Sequence, residues 1–286
     1  MNQEIINLFD EYTHKPLSRD EFMKRLARLT GSTAAALAVL PLLEVNYAYA
    51  ATVNEDDDDL MIESITYAGD DTTMRGYLVK PKKTAGKLGS VIVIHENRGL
   101  NPHIKDVARR VAKAGYLALA IDALSPFGGT PTNEDEARGL FAKLDAQKNV
   151  NNFLKGLDYV RARPESNGKT GCVGFCWGGG LANQLAVNSP ELNAAVAYYG
   201  RQADVADVPK IKAKLQLHYG GLDERVNAGI PAYETALKAA GTRYELYVYE
   251  GANHAFNNDT APTRYSPEAA KLAWERTLRL FKETLS

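Results

Sequence analysis

The 286-residue chain has little of several things that mark whole classes of protein. Cysteine occurs twice, at Cys172 and Cys176, which excludes a disulfide scaffold and a cysteine zinc cluster. Neither sign of charge is in excess: 34 Lys and Arg stand against 35 Asp and Glu, for a net charge of −1. No broad electrostatic pull on nucleic acid follows, and no nucleic-acid partner is expected. No apolar run suits a stable membrane span, because the candidate stretch from Leu29 to Leu43 is short and interrupted by Gly31 and Pro41. Histidine is also scarce, at five residues. What remains is an ordinary globular balance, 45% apolar and 24% charged, with enough chain for one large α/β domain or two small ones. The default is a small-molecule enzyme, with no metal and no cofactor expected.

The first 57 residues read differently from the rest. Asn2 to Tyr12 has the pattern of a short amphipathic helix, with Ile5, Ile6, Leu8 and Phe9 among polar neighbours. Ser18-Arg19-Asp20-Glu21-Phe22-Met23-Lys24-Arg25 then leads into the apolar stretch, and Ala48-Tyr49-Ala50 offers small residues where a signal peptidase reads. This resembles a twin-arginine export signal, but Asp20 stands in place of the second arginine. Five basic and five acidic residues before position 30 make the leading region neutral. Two readings stay open: export to the periplasm with cleavage near Ala51, or a cytoplasmic protein that keeps a helical arm packed on its own domain or on a second subunit. Asn54 to Asp59 reads as a solvated acidic linker. The expected division is therefore 1–57 for arm and linker and 58–286 for the enzyme body, as a monomer or homo-dimer.

From Leu60 onward, strand and helix patterns alternate. Ile62–Tyr67 and Gly76–Lys80 form a leading strand pair, and the continuous apolar run Ser90–His95 suits a strand covered on both faces. Strands follow at Tyr116–Ile121, Gly171–Phe175, Ala194–Tyr199, Leu215–Tyr219 and Tyr244–Tyr249, with helical patterns between them and an amphipathic helix from Glu268 to Leu285. The expected fold is α/β: a mostly parallel, twisted sheet of about eight strands with helices on both faces. In such sheets ligands bind beyond the carboxyl ends of the strands.

Gly174-Phe175-Cys176-Trp177-Gly178 lies where a strand passes into a helix. It is the Gly-x-nucleophile-x-Gly pattern with cysteine in the usual place of serine. The turn is tight enough that side chains two positions either side would collide with the strand and helix. The helix N-terminus behind it favours a thiolate and a developing oxyanion. A buried structural cysteine is the plainer alternative, and Cys172 is expected to be one. A nucleophile needs a base and an orienting carboxylate, in the chain order nucleophile, acid, histidine. Only His254 lies beyond the last strand, and Asp223 follows the strand Leu215–Tyr219. A loop aspartate is ordinarily a turn or helix cap, but its place in this order marks Asp223 as the acid. His218 falls within a strand as a buried structural residue, and His14 lies outside the domain.

On these residues, and on His95-Glu96-Asn97-Arg98-Gly99-Leu100-Asn101, the sequence resembles the dienelactone hydrolase family of α/β hydrolases from about Leu60 to the C-terminus. The resemblance implies the α/β-hydrolase fold and a Cys176–Asp223–His254 triad. It also implies a glutamate, here Glu96, that contacts the resting cysteine and takes part in its activation. The plainer reading of Glu96 is a salt bridge to Arg98 or another cation. The oxyanion hole falls to the backbone N–H groups of Trp177 and Asn97. Two arginines that hold a substrate carboxylate in the family have no counterpart: Asp122–Pro126 contains none, and Asn258 stands four positions beyond His254. Arg98, Arg201 and Asn258 are the candidates for substrate contact. The expected activity is cofactor-independent hydrolysis of a small-molecule ester or lactone through an acyl-enzyme. The alternative is a protein on the same fold that captures small electrophiles without turnover.

Overall fold

The computed structural model describes residues 1–47 and 52–286. Ala48 and Ala50, the small residues where a signal peptidase would read, and the expected cleavage point near Ala51 lie outside the described residues. Among the described residues a single eight-stranded sheet runs in the order β1-β2-β4-β3-β5-β6-β7-β8. Its strands are β1 (Leu60–Ala68), β2 (Thr73–Pro81), β3 (Leu88–Ile94), β4 (Leu117–Asp122), β5 (Ser166–Phe175), β6 (Ala194–Tyr198), β7 (Lys214–Gly220) and β8 (Tyr244–Tyr249). β1 and β2 form the antiparallel edge, β2 pairs antiparallel with β4, and the rest are parallel. This is the mostly parallel sheet that the alternating pattern predicts.

The central strands are apolar on both sides because both faces are covered. Along β4, Leu117, Leu119 and Ile121 pack on one face with α6 (Ala146–Arg161), α7 (Trp177–Asn188) and α9 (Ile230–Ala239). Ala118 and Ala120 face the other side, where α4 (Pro102–Lys113) and α10 (Pro267–Leu285) supply Val107, Val111 and Phe281. Two short helices, α5 (Glu134–Phe141) and α8 (Glu224–Asn227), sit in loops at the carboxyl ends of the strands. β5 begins five residues earlier than the apolar run from Gly171 suggests. Its leading Ser166–Thr170 segment is polar, yet it pairs with β3 through a register irregularity between Leu88 and Ser90.

The amino-terminal region forms three helices, α1 (Gln3–His14), α2 (Arg19–Thr30) and α3 (Thr33–Leu43). The apolar stretch from Leu29 is thus broken: its first two residues end α2, and Thr33–Leu43 forms α3. Gly31, at φ +85°, ends α2 in the left-handed conformation, and the Ser32 side chain caps α3. The two meet at a bend of 108°, and no single helix among the described residues is long and apolar enough to cross a membrane. Phe9, Tyr12, Phe22, Leu26, Ala36 and Leu43 make a small core of their own. Polar contacts then fix this arm over the carboxyl end of the sheet. Arg138 donates to the Tyr12 carbonyl at 2.6 Å and stacks over its ring at 4.1 Å. Arg19 pairs with Asp135 at 3.0 Å, Gln3 donates to Asn253 at 2.6 Å, and the Asn46 N–H donates to the Thr260 carbonyl at 2.7 Å.

Candidate active site

β5 delivers Cys176 to the mouth of the sheet. Its backbone sits at φ +55°, ψ −113°, a conformation that L residues rarely adopt, so the surrounding structure must hold it there. The flanking glycines show how. A Cβ on Gly174 would lie 1.9 Å from the Gly178 carbonyl oxygen, and one on Gly178 would lie 2.5 Å from the carbonyls of Ile94 and His95. Both positions therefore exclude every side chain, and the turn keeps Cys176 at the N-terminus of α7. Cys172, two pleats deeper on β5, is fully buried, and burial pushes its thiol up to about 12.

β7 and β8 deliver the other two candidates. Asp223 caps α8 by accepting from the Val226 N–H at 3.2 Å, and its second oxygen lies 2.5 Å from His254 Nδ1. The turn-cap and charge-partner readings of Asp223 both hold, one on each carboxylate oxygen. A carboxylate only accepts, so Nδ1 carries the proton and the His254 Nε2 lone pair is left pointing away from Asp223. That Nε2 is buried and has no hydrogen-bond partner among the described residues. His218 is the buried structural histidine the strand position predicts, held by Tyr249 at 2.8 Å and Gln216 at 2.9 Å. Burial pushes it down to about 3.

The structure corrects the placement of His14 outside the domain. Its Nε2 lies 3.0 Å from Cys176 Sγ, and its ring meets the His254 ring edge-on at 4.7 Å. On the other side, His14 Nδ1 lies 2.8 Å from the Asp10 carbonyl oxygen and 3.1 Å from its carboxylate. Burial works against the imidazolium, but the Cys176 sulfur and Asp10 outweigh it and raise the His14 pKa. Asp10 is itself held far below the usual carboxylate range against burial, by His254, His14 and Arg225. The sequence carried one local sign of this residue: Asp10 and His14 stand four apart, on one face of α1.

Glu96 follows β3 and is nearly buried. It accepts from Asn258 Nδ2 at 3.0 Å and lies 3.5 Å from the Tyr199 hydroxyl. Burial first, then the Glu96 and Cys176 charges, raise the Tyr199 phenol far above its ordinary pKa, so it stays a donor. Arg98 does not pair with Glu96; it turns to Glu134 and Asp135, at 3.9 and 3.8 Å. Asn258 is fully buried, with its amide on Glu96 and its carbonyl oxygen accepting from Thr260. Of the three substrate-contact candidates, Arg201 alone is exposed and lines the open cavity. That cavity, about 610 Å³, is bordered by Cys176, Trp177, Asn97, His254 and Arg201 and roofed by Thr13 to Leu17 of the arm.

A strained strand-to-helix turn after β5 bearing a potential nucleophile, with a carboxylate–histidine pair beyond the ends of β7 and β8, defines an α/β hydrolase. Residues 74–285 match the model of the dienelactone hydrolase family, and the chain belongs to that family. A provisionally named carboxymethylenebutenolidase of Escherichia coli strain K12 is 33% identical over 252 residues, covering 82% of this chain and 92% of its own. One from Saccharolobus solfataricus is 33% identical over 255 residues, covering 76% and 96%. The crystal structure of a provisionally named dienelactone hydrolase from Klebsiella pneumoniae superposes with a TM-score of 0.71 at 28% identity, covering 78% of this chain and 99% of that one. The chain is thus a hydrolase-family member with a small-molecule substrate.

Proposed function

We propose that the protein hydrolyses carboxylic esters or lactones through an acyl-enzyme on Cys176, without a cofactor. The observation that carries this reading is the buried, unpartnered Nε2 of His254, aimed into the space beside Cys176 while Asp223 fixes its tautomer. His254 Nε2 takes the Cys176 thiol proton, the thiolate attacks the carbonyl carbon, and the backbone N–H groups of Trp177 and Asn97 receive the negative oxygen. As the carbon–oxygen bond of the ester breaks, His254 protonates the leaving alcohol. His254 then takes a proton from water and the hydroxide attacks the thioester; as the carbon–sulfur bond breaks, His254 returns that proton to the Cys176 sulfur, and the acid product leaves as a carboxylate with its proton lost to solvent.

Glu96 stands near the thiol but bonds Asn258 and Tyr199, so its part is to keep this end of the cavity polar and pre-arranged. Arg201 has no ion-pair or hydrogen-bond partner for its guanidinium among the described residues and fits a carboxylate-bearing acyl group. The test is turnover of a panel of aryl esters, simple lactones and dienelactone by wild type and Cys176→Ala. The expected result is loss of turnover in the variant, on the order of 10⁴-fold or more. Full retention would overturn the mechanism.

A further inference from the structure

His14, Cys176 and His254 converge in a way that ester hydrolysis does not require. Their ligand atoms, two imidazole nitrogens and one sulfur, all lie within 4.8 Å of one another. Each histidine presents Nε2 to the shared space because its Nδ1 is held from behind, His254 by Asp223 and His14 by Asp10. That is the outer-shell arrangement by which proteins orient metal-binding histidines and make them more basic. Hydrogen bonding does not account for the convergence: the thiol reaches His14, but His254 Nε2 is buried and without a partner. A small pocket of about 30 Å³ borders all three residues and Glu96, room for one ion and little else.

We infer that these three residues bind a divalent transition-metal ion of the zinc type, with His14 brought to the site by the arm. Two neutral imidazoles and a thiolate are a ligand set such ions favour, and a three-ligand site leaves a fourth position facing the cavity. The local charge suits a dication. Asp10, Asp223, Glu96 and Glu134 stand about the site against the guanidiniums of Arg98, Arg225 and Arg264, which leaves one carboxylate in excess before the thiolate adds its own charge. Binding displaces the thiol proton to solvent and closes a sulfur–metal bond. Neither the Cys176 sulfur nor the His254 lone pair is then free, so the loaded protein does not turn over esters, and the ion ties the arm to the body. The ligand set does not depend on the hydrolase reading; the loss of turnover does.

The experiment uses the full chain, stripped with EDTA and titrated with Zn(II) and separately with Co(II). One equivalent of either is expected to bind, with Co(II) showing a thiolate charge-transfer band in the near ultraviolet. His14→Ala should weaken binding roughly 100-fold, and Cys176→Ala should abolish the band. Thermal unfolding of the metal-free variants, with His14→Gln as a second replacement, separates a lost ligand from a lost fold. No stoichiometric uptake, or equal uptake by wild type and a folded His14 variant, overturns the inference. Ester turnover by the stripped protein, measured in parallel, separates the two readings. Turnover without metal uptake sinks the metal site alone, and metal uptake with no turnover of any ester or lactone sinks the hydrolase alone. Turnover that Zn(II) stops and EDTA restores supports both.

Discussion

Two aspartate–histidine pairs flank Cys176, and they are built in different ways. Asp223 and His254 stand on consecutive strand ends, 2.5 Å apart, with side chains 2% and 5% exposed. Asp10 and His14 stand four residues apart on one helix, 3.1 Å apart and 17% and 13% exposed. The first pair is positioned by the sheet, whose parallel ladder from β6 through β8 fixes where each loop leaves. The second is positioned only by how well the arm docks. A pair held by the sheet keeps its geometry through a reaction cycle, whereas one held by an arm can be withdrawn. The sheet pair therefore suits catalysis, and the arm pair suits control of access to the sulfur.

The largest expected effect separates the two pairs directly. Asp223→Asn should lower kcat by about 10³- to 10⁴-fold, because an amide that donates to Nδ1 favours the wrong imidazole tautomer. Asp10→Asn should cost about tenfold or less. Steady-state kinetics on the preferred ester decides it, and comparable losses would place both pairs in the chemical machinery.

Next in size is the turn itself. Gly174→Ala puts a methyl group 1.9 Å from a backbone oxygen that cannot retreat without moving α7. A loss of about 4 kcal/mol or more is expected, read from denaturant unfolding. The arm would lose its docking surface as a consequence, so both regions should unfold together. A variant with unchanged stability would show that the turn is not held as described.

A smaller effect concerns the seam where chain leaving the arm meets the body. Asp259 pairs with His103 at 3.0 Å and with Arg110, which also bonds Thr52. Burial alone would raise the carboxyl, but His103 and Arg110 together lower it to about 2. A depressed folded-state value means that the stabilisation is complete above the ordinary value near 3.8 and is lost as pH falls through about 2. The wild type should therefore lose on the order of 2 kcal/mol in that window that Asp259→Asn does not lose. Parallel thermal melts between pH 5 and pH 2 check it.

The comparison also explains what could be read from the sequence. Cys176, Asp223 and His254 were legible because each ends a strand, the order is fixed by topology, and the turn demands glycines two positions either side. The same logic located the strands, since runs such as Ser90–His95 have no other stable placement. His14 was not legible, because its contact with Cys176 spans 162 residues of sequence and depends on the docking of a separate helical unit. Its immediate neighbours mark only an amphipathic helix. Glu96 shows the intermediate case. Its position after β3 was readable, but its partners, Asn258 and Tyr199, come from loops whose packing no local pattern specifies.

The smallest effect tests whether the arm is an independent element. Arg138 holds Tyr12 through one carbonyl hydrogen bond and its ring face, contacts at the edge of the site and away from the sheet. Such contacts contribute about 1 kcal/mol, enough to shift a docking equilibrium several-fold and too little to unfold the body. Arg138→Ala should speed amide hydrogen exchange across Gln3–His14 while exchange in β3 and β5 stays at the wild-type rate. Cys176 should also react faster with a bulky thiol reagent, because withdrawal of His14 uncovers the sulfur. If exchange rises equally in the arm and in the central strands, the two regions form one cooperative unit and the contrast between their histidine pairs fails. If the arm alone loosens while the thiol rate is unchanged, the helix docks as described but does not govern access to Cys176.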